Sequence, residues 1–179
     1  MKTFEEIMQL DTVAFFQYVE TIRYGYQDRS GQLHFAEDED FTVQDYAFSS
    51  PEDVVRNNCC WCWDAAELIK VYCTRHGLPC RSWFMEYFSD MLHQTHTQVF
   101  VHFRGKWCPA PDNSIGIHLG EHGFAELDAC VQWFAGWFTD HLRSVLGDKF
   151  DGNHLLMKEY TCTFSRGITD DEYLLQIRQ

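Results

Sequence analysis

CWDAAELIKVYCTRHGLPCR, residues 62–81, is the most strongly patterned part of this sequence. Its apolar residues recur at intervals of three and four, which is the spacing of one face of an α-helix: Ala65, Leu68, Ile69, Tyr72 and Cys73. Gly77 and Pro79 follow, as they do at a helix end, where glycine takes left-handed backbone and proline cannot continue the helix. The stretch therefore predicts a helix from about Trp61 to His76 with one apolar face.

Downstream of this helix the pattern becomes that of β-strands. Residues 81–88 are rich in aromatic side chains, and the segment 97–103 alternates so that one face carries Val99, Val101 and Phe103. Arg104-Gly105-Lys106 predicts a tight turn into a short strand through Trp107. We expect the strand over 97–103 to be half-buried. The order of helix, strand and hairpin is typical of an α+β domain in which an antiparallel sheet packs on a central helix.

The N-terminal third predicts two helices and an irregular segment. One helix is predicted over residues 11–23, with Asp11 as its N-cap. A shorter helix is predicted to start at Ser50-Pro51, where serine is the cap and proline the first helical residue. The acidic stretch from Gln27 to Glu52 is expected to be irregular and on the surface.

The C-terminal third predicts one long helix and a strand. The helix runs from about Glu126 to Leu146, and its expected core positions are Leu127, Val131, Phe134, Phe138, Leu142 and Val145. The strand is expected from Tyr160 to Phe164. The sequence has no internal repeat and no low-complexity linker, so we expect residues 1–179 to form a single domain.

Three residues in these elements have the chemistry of a cysteine nucleophile site. Cys62 begins the predicted helix, where unpaired backbone N–H groups and the positive end of the helix dipole favour a thiolate. His96 opens the first hairpin strand and can accept the thiol proton. Asp112 follows the second strand, so hairpin pairing would bring its carboxylate beside the imidazole, fixing the tautomer and stabilising the imidazolium. The sequence therefore predicts a Cys62–His96–Asp112 triad.

Other residues compete for some of these roles. His93 and His102 are alternatives to His96, and Asn113 could orient the imidazole in place of Asp112 because an amide can also do so. The backbone N–H of the nucleophile should be one oxyanion-hole donor, since it lies at a helix N-terminus. Three tryptophans could line a substrate groove, although burial in the core is the more ordinary expectation: Trp61, Trp63 and Trp83.

The same residues resemble the transglutaminase-like cysteine enzymes of the papain-like fold. The nucleophile motif of that family is Cys-aromatic-x-x-Ala at a helix start, which here is Cys62-Trp63-Asp64-Ala65-Ala66. A Gly-x-Pro segment follows, here Gly77-Leu78-Pro79. The family's histidine opens a strand, and a glycine turn and a tryptophan lead to the acid. Here these residues are His96, Gly105-Lys106-Trp107 and Asp112.

The resemblance covers about Ser50 to Ser114, and its register selects the nucleophile. From Cys62 the positions of Ala66 and Gly77 match the motif, whereas from Cys60 they do not. The resemblance implies a papain-like core and attack by the Cys62 thiol on a carboxamide or peptide carbonyl through a thioester. Transglutaminases, protein deamidases and cysteine peptidases all use this chemistry.

The resemblance also implies partners and one further residue. It implies a protein or peptide substrate and no cofactor. The family adds a second oxyanion donor upstream of the nucleophile, and the candidates are Tyr24, Tyr26 and Tyr46. The sequence does not choose among these three.

The sequence departs from the family pattern at three places. Gln98 stands where an aromatic residue usually follows the histidine, and the segment from Trp107 to Asp112 is one residue longer than usual. Asn58-Cys59-Cys60-Trp61 stands where the family commonly has glycine before the nucleophile. The first two departures favour one alternative, an inactive papain-like binding module, and the third bears on which cysteine is the nucleophile. Another Cys–His–Asp acyltransferase, such as an arylamine N-acetyltransferase, is a second alternative, which the length of 179 residues disfavours.

Composition restricts the partners and the location. The 27 acidic and 14 basic residues give a net charge of −13, so nucleic acid and anionic lipid are expected to be repelled. Neither a signal peptide nor a membrane span is predicted, and the expected location is the cytoplasm, where the eight cysteines would stay reduced. The spacing of Cys60-x-Cys62 is too short for the usual cysteine pair of a structural zinc site, so no metal is expected.

Overall fold

A central four-stranded sheet and the helices on its two faces make up most of the protein. The computed structural model describes residues 2–38, 41 and 45–178. The helices are α1 (Phe4–Met8), α2 (Thr12–Glu20), α3 (Pro51–Asn57), α4 (Cys62–His76), α5 (Leu127–Leu146) and α6 (Asp170–Arg178). The strands are β1 (Arg23–Gln27), β2 (Leu33–Phe35), β3 (Cys59–Cys60), β4 (Cys80–Phe88), β5 (His93–Phe103), β6 (Lys106–Pro109) and β7 (Leu155–Tyr160).

The four-stranded sheet is antiparallel throughout, in the order β6-β5-β4-β7. Alternate residues of a strand point to opposite faces, and β5 shows how each face is covered. Val99 and Val101 pack with Leu68 of α4 on one face, while Phe100 packs with Phe134 of α5 on the other. The predicted α+β class, with a central helix on an antiparallel sheet, is confirmed.

The capping residues predicted at three helix ends have that role in the structure. The Asp11 side chain accepts from the Ala14 backbone at 3.0 Å to cap α2. Ser50 caps α3, with proline in its first turn. Gly77 ends α4 with a φ of 62°, a backbone conformation that glycine takes without steric cost.

Three predictions are corrected. The strand β5 is buried on both faces from His96 to Val101 rather than half-buried, because helices cover both sides of the sheet. The strand predicted from Tyr160 to Phe164 ends at Tyr160, since Phe164 leaves the sheet to pack against Tyr173. Val145 is 56% exposed, and Leu146, four residues after the buried Leu142, packs against the core instead.

The segment from residue 27 to residue 52 is more ordered than predicted. It contains β2, and Tyr46 and Phe48 within it are buried among aromatic side chains. Residues 39–40 and 42–44 of this segment lie outside the described residues. A small sheet in the order β2-β1-β3 holds the segment, and its parallel pairing sets Tyr24 opposite Cys60.

Two helices were missing from the sequence prediction. Helix α1 adds Ile7 and Met8 to the core beneath α4, and α6 adds Tyr173 to the aromatic cluster at the start of α4. The two helices have only five and nine residues, so their periodicity is weak. Among the described residues, no helix is long and apolar enough to cross a membrane.

Candidate active site

Cys62 is the first residue of α4 and is 2% exposed. The residue before it, Trp61, has extended backbone, and its N–H donates to Oδ2 of Asp64 at 3.0 Å. The sulfur of Cys62 accepts from the backbone N–H groups of Thr97 in β5 and of Trp63. The thiol is therefore held between the start of α4 and the middle of β5.

Burial determines the protonation of Cys62. Removal from water raises the pKa of this thiol well above its usual value, and the nearby charges of Asp112 and Asp64 raise it further. The N–H groups of Thr97 and Trp63 lower the pKa but do not offset burial. Burial therefore outweighs the preference for a thiolate that is expected at a helix N-terminus, and Cys62 is a thiol in the resting protein.

His96 is buried in β5 and faces α5. Its ring stacks on Phe134 and Phe138 with centroid separations of 5.6 and 6.2 Å. Its Nε2 lies 3.8 Å from Oδ2 of Asp112 and 3.4 Å from Oε1 of Gln98. Burial lowers the pKa of His96, and the Asp112 charge and the Gln98 amide oppose that shift only in part. The ring is therefore neutral near pH 7, the form that can accept a proton.

Asp112 is fixed by its own turn. Its Oδ1 accepts from the Ser114 backbone and hydroxyl, each at 2.7 Å, and from the Ile115 backbone at 3.1 Å. Oδ2 is the oxygen nearer His96. The neighbouring Asn113 turns away, donating from Nδ2 to the Cys60 carbonyl at 3.1 Å. The geometry thus sets Asp112, rather than Asn113, beside the imidazole.

Gln98 also lies in the candidate site, although the sequence did not indicate it. Its Nε2 donates to the Val99 and Ala110 carbonyls at 2.7 and 2.9 Å, so its Oε1 points toward His96. In the sequence this residue was only a departure from a family pattern. Strand alternation was the one available signal, because His96 and Gln98 are two residues apart and share a face.

The rival histidines are engaged elsewhere. His93 lies 2.8 Å from Glu86 through its Nε2, and its ring packs edge-on against Phe88. The His102 ring packs near Trp107, with centroids 5.3 Å apart. Neither contact brings these rings to the Cys62 sulfur.

Asp64 lies in the first turn of α4 and binds the start of that helix to neighbouring segments. This carboxylate is fully buried and accepts from the Tyr46 hydroxyl at 2.7 Å and from the backbone of Ser49 at 2.9 Å, besides Trp61. Burial raises its pKa to about 7, with the three donors opposing the shift. Through these contacts the buried Asp64 ties the Cys62 helix to the 45–49 segment.

Two cavities lie beside the candidate site, and both are lined by Thr95. One, of about 410 Å³, is lined by Tyr24, His96 and Asn113 together with residues of α5. The other, of about 270 Å³, is lined by the aromatic rings of Tyr46, Trp61 and Trp63. Trp61 and Trp63 therefore line a groove as well as packing in the core, and Trp83 packs against the α5 side of the sheet.

The three candidate tyrosines differ in their surroundings. The Tyr46 hydroxyl is committed to Asp64, and the Tyr26 ring is buried against His34. Tyr24 lines the cavity beside His96, and it lies close enough to both Cys62 and Asp112 to interact with them. Burial raises the pKa of Tyr24, so its hydroxyl stays protonated and can donate.

All eight cysteines are free thiols, and six of them are buried. Within the part of the chain that the structure describes, no three His, Cys, Asp or Glu side chains are grouped to hold a metal ion. Comparisons of the sequence with protein-family models and with curated proteins found no match to either.

Proposed function

We propose that this protein is a thiol-dependent acyl-transfer enzyme or hydrolase of the transglutaminase-like type, with a papain-like core. Cys62 is the nucleophile, His96 the general base, and Asp112 the residue that orients the base. The observation that carries the proposal is the contact of the Thr97 N–H with the Cys62 sulfur. Thr97 directly follows His96 in β5, and the His96 ring lies beside Asp112. A helix that begins at the nucleophile and packs on an antiparallel sheet bearing the base supports the papain-like core.

The first step is transfer of the thiol proton to His96. Because Nε2 of His96 faces Gln98 and Asp112, Nδ1 is the nitrogen left to accept it. The thiolate sulfur then attacks the carbonyl carbon of the substrate. The imidazolium returns the proton to the leaving amine, which gives a thioester and a free amine. Water or a second amine resolves the thioester.

The developing oxyanion needs two donors. The Cys62 backbone N–H lies in the first turn of α4, where helical N–H groups have no partner within the helix. Tyr24 supplies the second donor in this proposal, since it lines the cavity at His96 and its raised pKa keeps the hydroxyl protonated. This assigns the role that the sequence left open among three tyrosines.

A protein or peptide carboxamide is the substrate that we propose. The cavities on either side of Thr95 provide room for side chains on both sides of a carbonyl. The net charge of −13 disfavours nucleic acid as a partner. A cytoplasmic location and a single domain belong to the same proposal, and no cofactor is needed for the chemistry.

One observation favours the alternative of an inactive binding module. Cys62 is 2% exposed and its raised pKa keeps it protonated, so substrate must reach a covered thiol. An active enzyme must then deprotonate Cys62 through His96, whereas an inactive module has no such requirement. Dependence on His96 is therefore what separates the two functions.

The test is acetylation of Cys62 by p-nitrophenyl acetate, followed by peptide mass spectrometry. We expect Cys62 to be acetylated in the wild type and His96→Ala to slow that acetylation by about 100-fold or more, as loss of a general base does. His102→Ala is the matched control, because it removes another histidine of the same strand, and it should leave the rate unchanged. Equal rates in wild type and His96→Ala would support the inactive module.

A second assay distinguishes the reactions within the proposed class. A glutamine-bearing protein is incubated with dansyl-cadaverine, and incorporation is compared with release of ammonia. Incorporation that is lost in Cys62→Ser identifies a transglutaminase, and ammonia release alone identifies a deamidase. Cleavage of the polypeptide without either signal identifies a peptidase.

A further inference from the structure

A second pair of thiols lies at the opposite end of α4 from Cys62. Cys73 is fully buried near the end of α4, and Cys80 is the first residue of β4 and partly exposed. The Cys73 thiol donates a hydrogen bond to the Cys80 sulfur. The turn through Gly77 joins the two residues, and Cys80 packs against the core cluster that contains Cys73.

Cys80 lines a cavity of about 380 Å³ that the triad does not use. Three basic side chains also line this cavity: Lys70, Arg75 and Arg81. Lys70 is paired with Glu67 at 2.6 Å and Arg81 with Glu159 at 3.6 Å. Solvent and small solutes can therefore reach the Cys80 sulfur in surroundings that contain positive charge.

These contacts separate the chemistry of the two sulfurs. The hydrogen bond from Cys73 lowers the pKa of Cys80 to about 7, and the charges of Lys70 and Arg81 act in the same direction, while burial and Glu67 oppose them. The same hydrogen bond raises the pKa of Cys73, because Cys73 keeps its proton to donate it. Near neutral pH, a large share of Cys80 is thiolate and Cys73 is thiol.

We propose that Cys80 is a peroxide-reactive thiol and that Cys73 resolves its oxidised form to a reversible disulfide. The Cys80 sulfur attacks one oxygen of hydrogen peroxide, the O–O bond breaks, and the departing hydroxide is protonated to water. The Cys73 sulfur loses its proton, attacks the sulfenic sulfur of Cys80 and displaces hydroxide, which becomes a second water. Two thiols thus lose two electrons to one peroxide.

Cys162 provides a comparison within the chain. It is the other partly exposed cysteine, but burial raises its pKa. At pH 7 we expect iodoacetamide to alkylate Cys80 roughly tenfold faster than Cys162, since a larger thiolate fraction is only partly offset by weaker nucleophilicity. The same reasoning makes Cys80, rather than the buried Cys62, the fastest-labelled cysteine.

The test treats the full-length protein with one equivalent of hydrogen peroxide at pH 7 and maps the products by peptide mass spectrometry. We expect a Cys73–Cys80 disulfide, with loss of two hydrogens, that dithiothreitol reverses. In Cys73→Ser the sulfenic acid has no resolving thiol, so dimedone should trap it on Cys80. Cys162→Ser is the matched control and should form the disulfide as the wild type does.

Two results would overturn the proposal. One is a wild-type protein in which peroxide leaves Cys73 and Cys80 unlinked while Cys73→Ser gives no dimedone adduct. The other, which needs no variant to fold, is alkylation of Cys80 and Cys162 at equal rates in the native wild type. Cys62→Ser and His96→Ala should leave disulfide formation unchanged, so this proposal stands or falls separately from the acyl-transfer function.

Discussion

The Oε1 atom of Gln98 lies 3.4 Å from Nε2 of His96, closer than the nearest carboxylate oxygen of Asp112 at 3.8 Å. A separation of 3.8 Å exceeds the usual length of a hydrogen bond, so the carboxylate acts on the ring mainly through its charge. The amide instead holds the orientation, because the Gln98 side chain is itself fixed by two backbone carbonyls. Two groups therefore act on Nε2 of His96: the Gln98 amide mainly orients the ring, and the Asp112 carboxylate mainly stabilises its charged form.

The first prediction concerns these two groups. Because Gln98 still orients the ring, we expect Asp112→Asn to slow Cys62 acetylation by about 10- to 100-fold, less than the roughly 10⁴-fold loss seen when a triad has one orienting group. Asp112→Asn combined with Gln98→Met should fall to the rate of His96→Ala. The measurement is the rate of Cys62 acetylation in the single and double variants. If Asp112→Asn alone already lowers the rate to that of His96→Ala, then Gln98 does not orient the His96 ring.

The order of helices and strands around the candidate site was predictable from the sequence, but the protonation state of Cys62 was not. The repeat of apolar residues in 62–81 and the alternation in 97–103 suffice to define α4 and β5, since both signals are local. The protonation of Cys62 depends on how deeply α6 and the 45–49 segment cover the start of α4. Those contacts join residues far apart in sequence, and local patterns carry no information about them.

The positions of Gln98 and Tyr24 were also not predictable from local sequence patterns, because each depends on pairing between distant segments. Gln98 gains its role from Ala110, which the hairpin register brings across from the segment after β6. Tyr24 gains its position from the parallel pairing of β1 with β3, which sets it opposite Cys60. Strands of five and two residues give almost no periodicity, so neither strand was predicted.

The second prediction is a pH dependence set by His96. Burial lowers the pKa of His96 below its ordinary value of 6.5, and the ring must be neutral to accept the thiol proton. We expect the acetylation rate of Cys62 to hold as the pH falls to 6.5 and to decline only at lower pH. Asp112→Asn should move this decline to still lower pH, because the Asp112 charge raises the pKa of His96. The check is a pH–rate profile of both proteins, and a shift toward higher pH would contradict it.

The third prediction concerns the stability of the α4 start. Tyr46→Phe removes one of the three donors to the buried Asp64 carboxylate, so we expect a loss of about 1–3 kcal/mol in the free energy of unfolding. Because the pKa of Asp64 is about 7, the loss should grow as the pH rises through 7, where the carboxylate becomes charged. Urea unfolding at pH 6 and pH 8 measures both effects.

The control for this prediction is Tyr72→Phe. Its hydroxyl donates to the Leu10 carbonyl at 2.9 Å, so the change deletes the same group from a neutral acceptor. We expect a smaller loss, about 1 kcal/mol, that does not change between pH 6 and pH 8. A pH-dependent loss in Tyr72→Phe, or a pH-independent one in Tyr46→Phe, would show that Asp64 is not the cause.

The fourth prediction separates the proposed role of Tyr24 from a structural one. Alkylation of a thiol by iodoacetamide forms no oxyanion, whereas acetylation by p-nitrophenyl acetate passes through one. We therefore expect Tyr24→Phe to slow acetylation of Cys62 by about 100-fold, the usual effect of losing one oxyanion donor, and to leave the alkylation of Cys62 unchanged. Both rates are followed at Cys62 by peptide mass spectrometry, because Cys80 reacts with the same reagents. If both rates fall together, Tyr24 only supports the packing around Trp61, which its ring contacts at 5.6 Å. If neither rate changes, the second donor is another group, and the roles of Cys62 and His96 are unaffected.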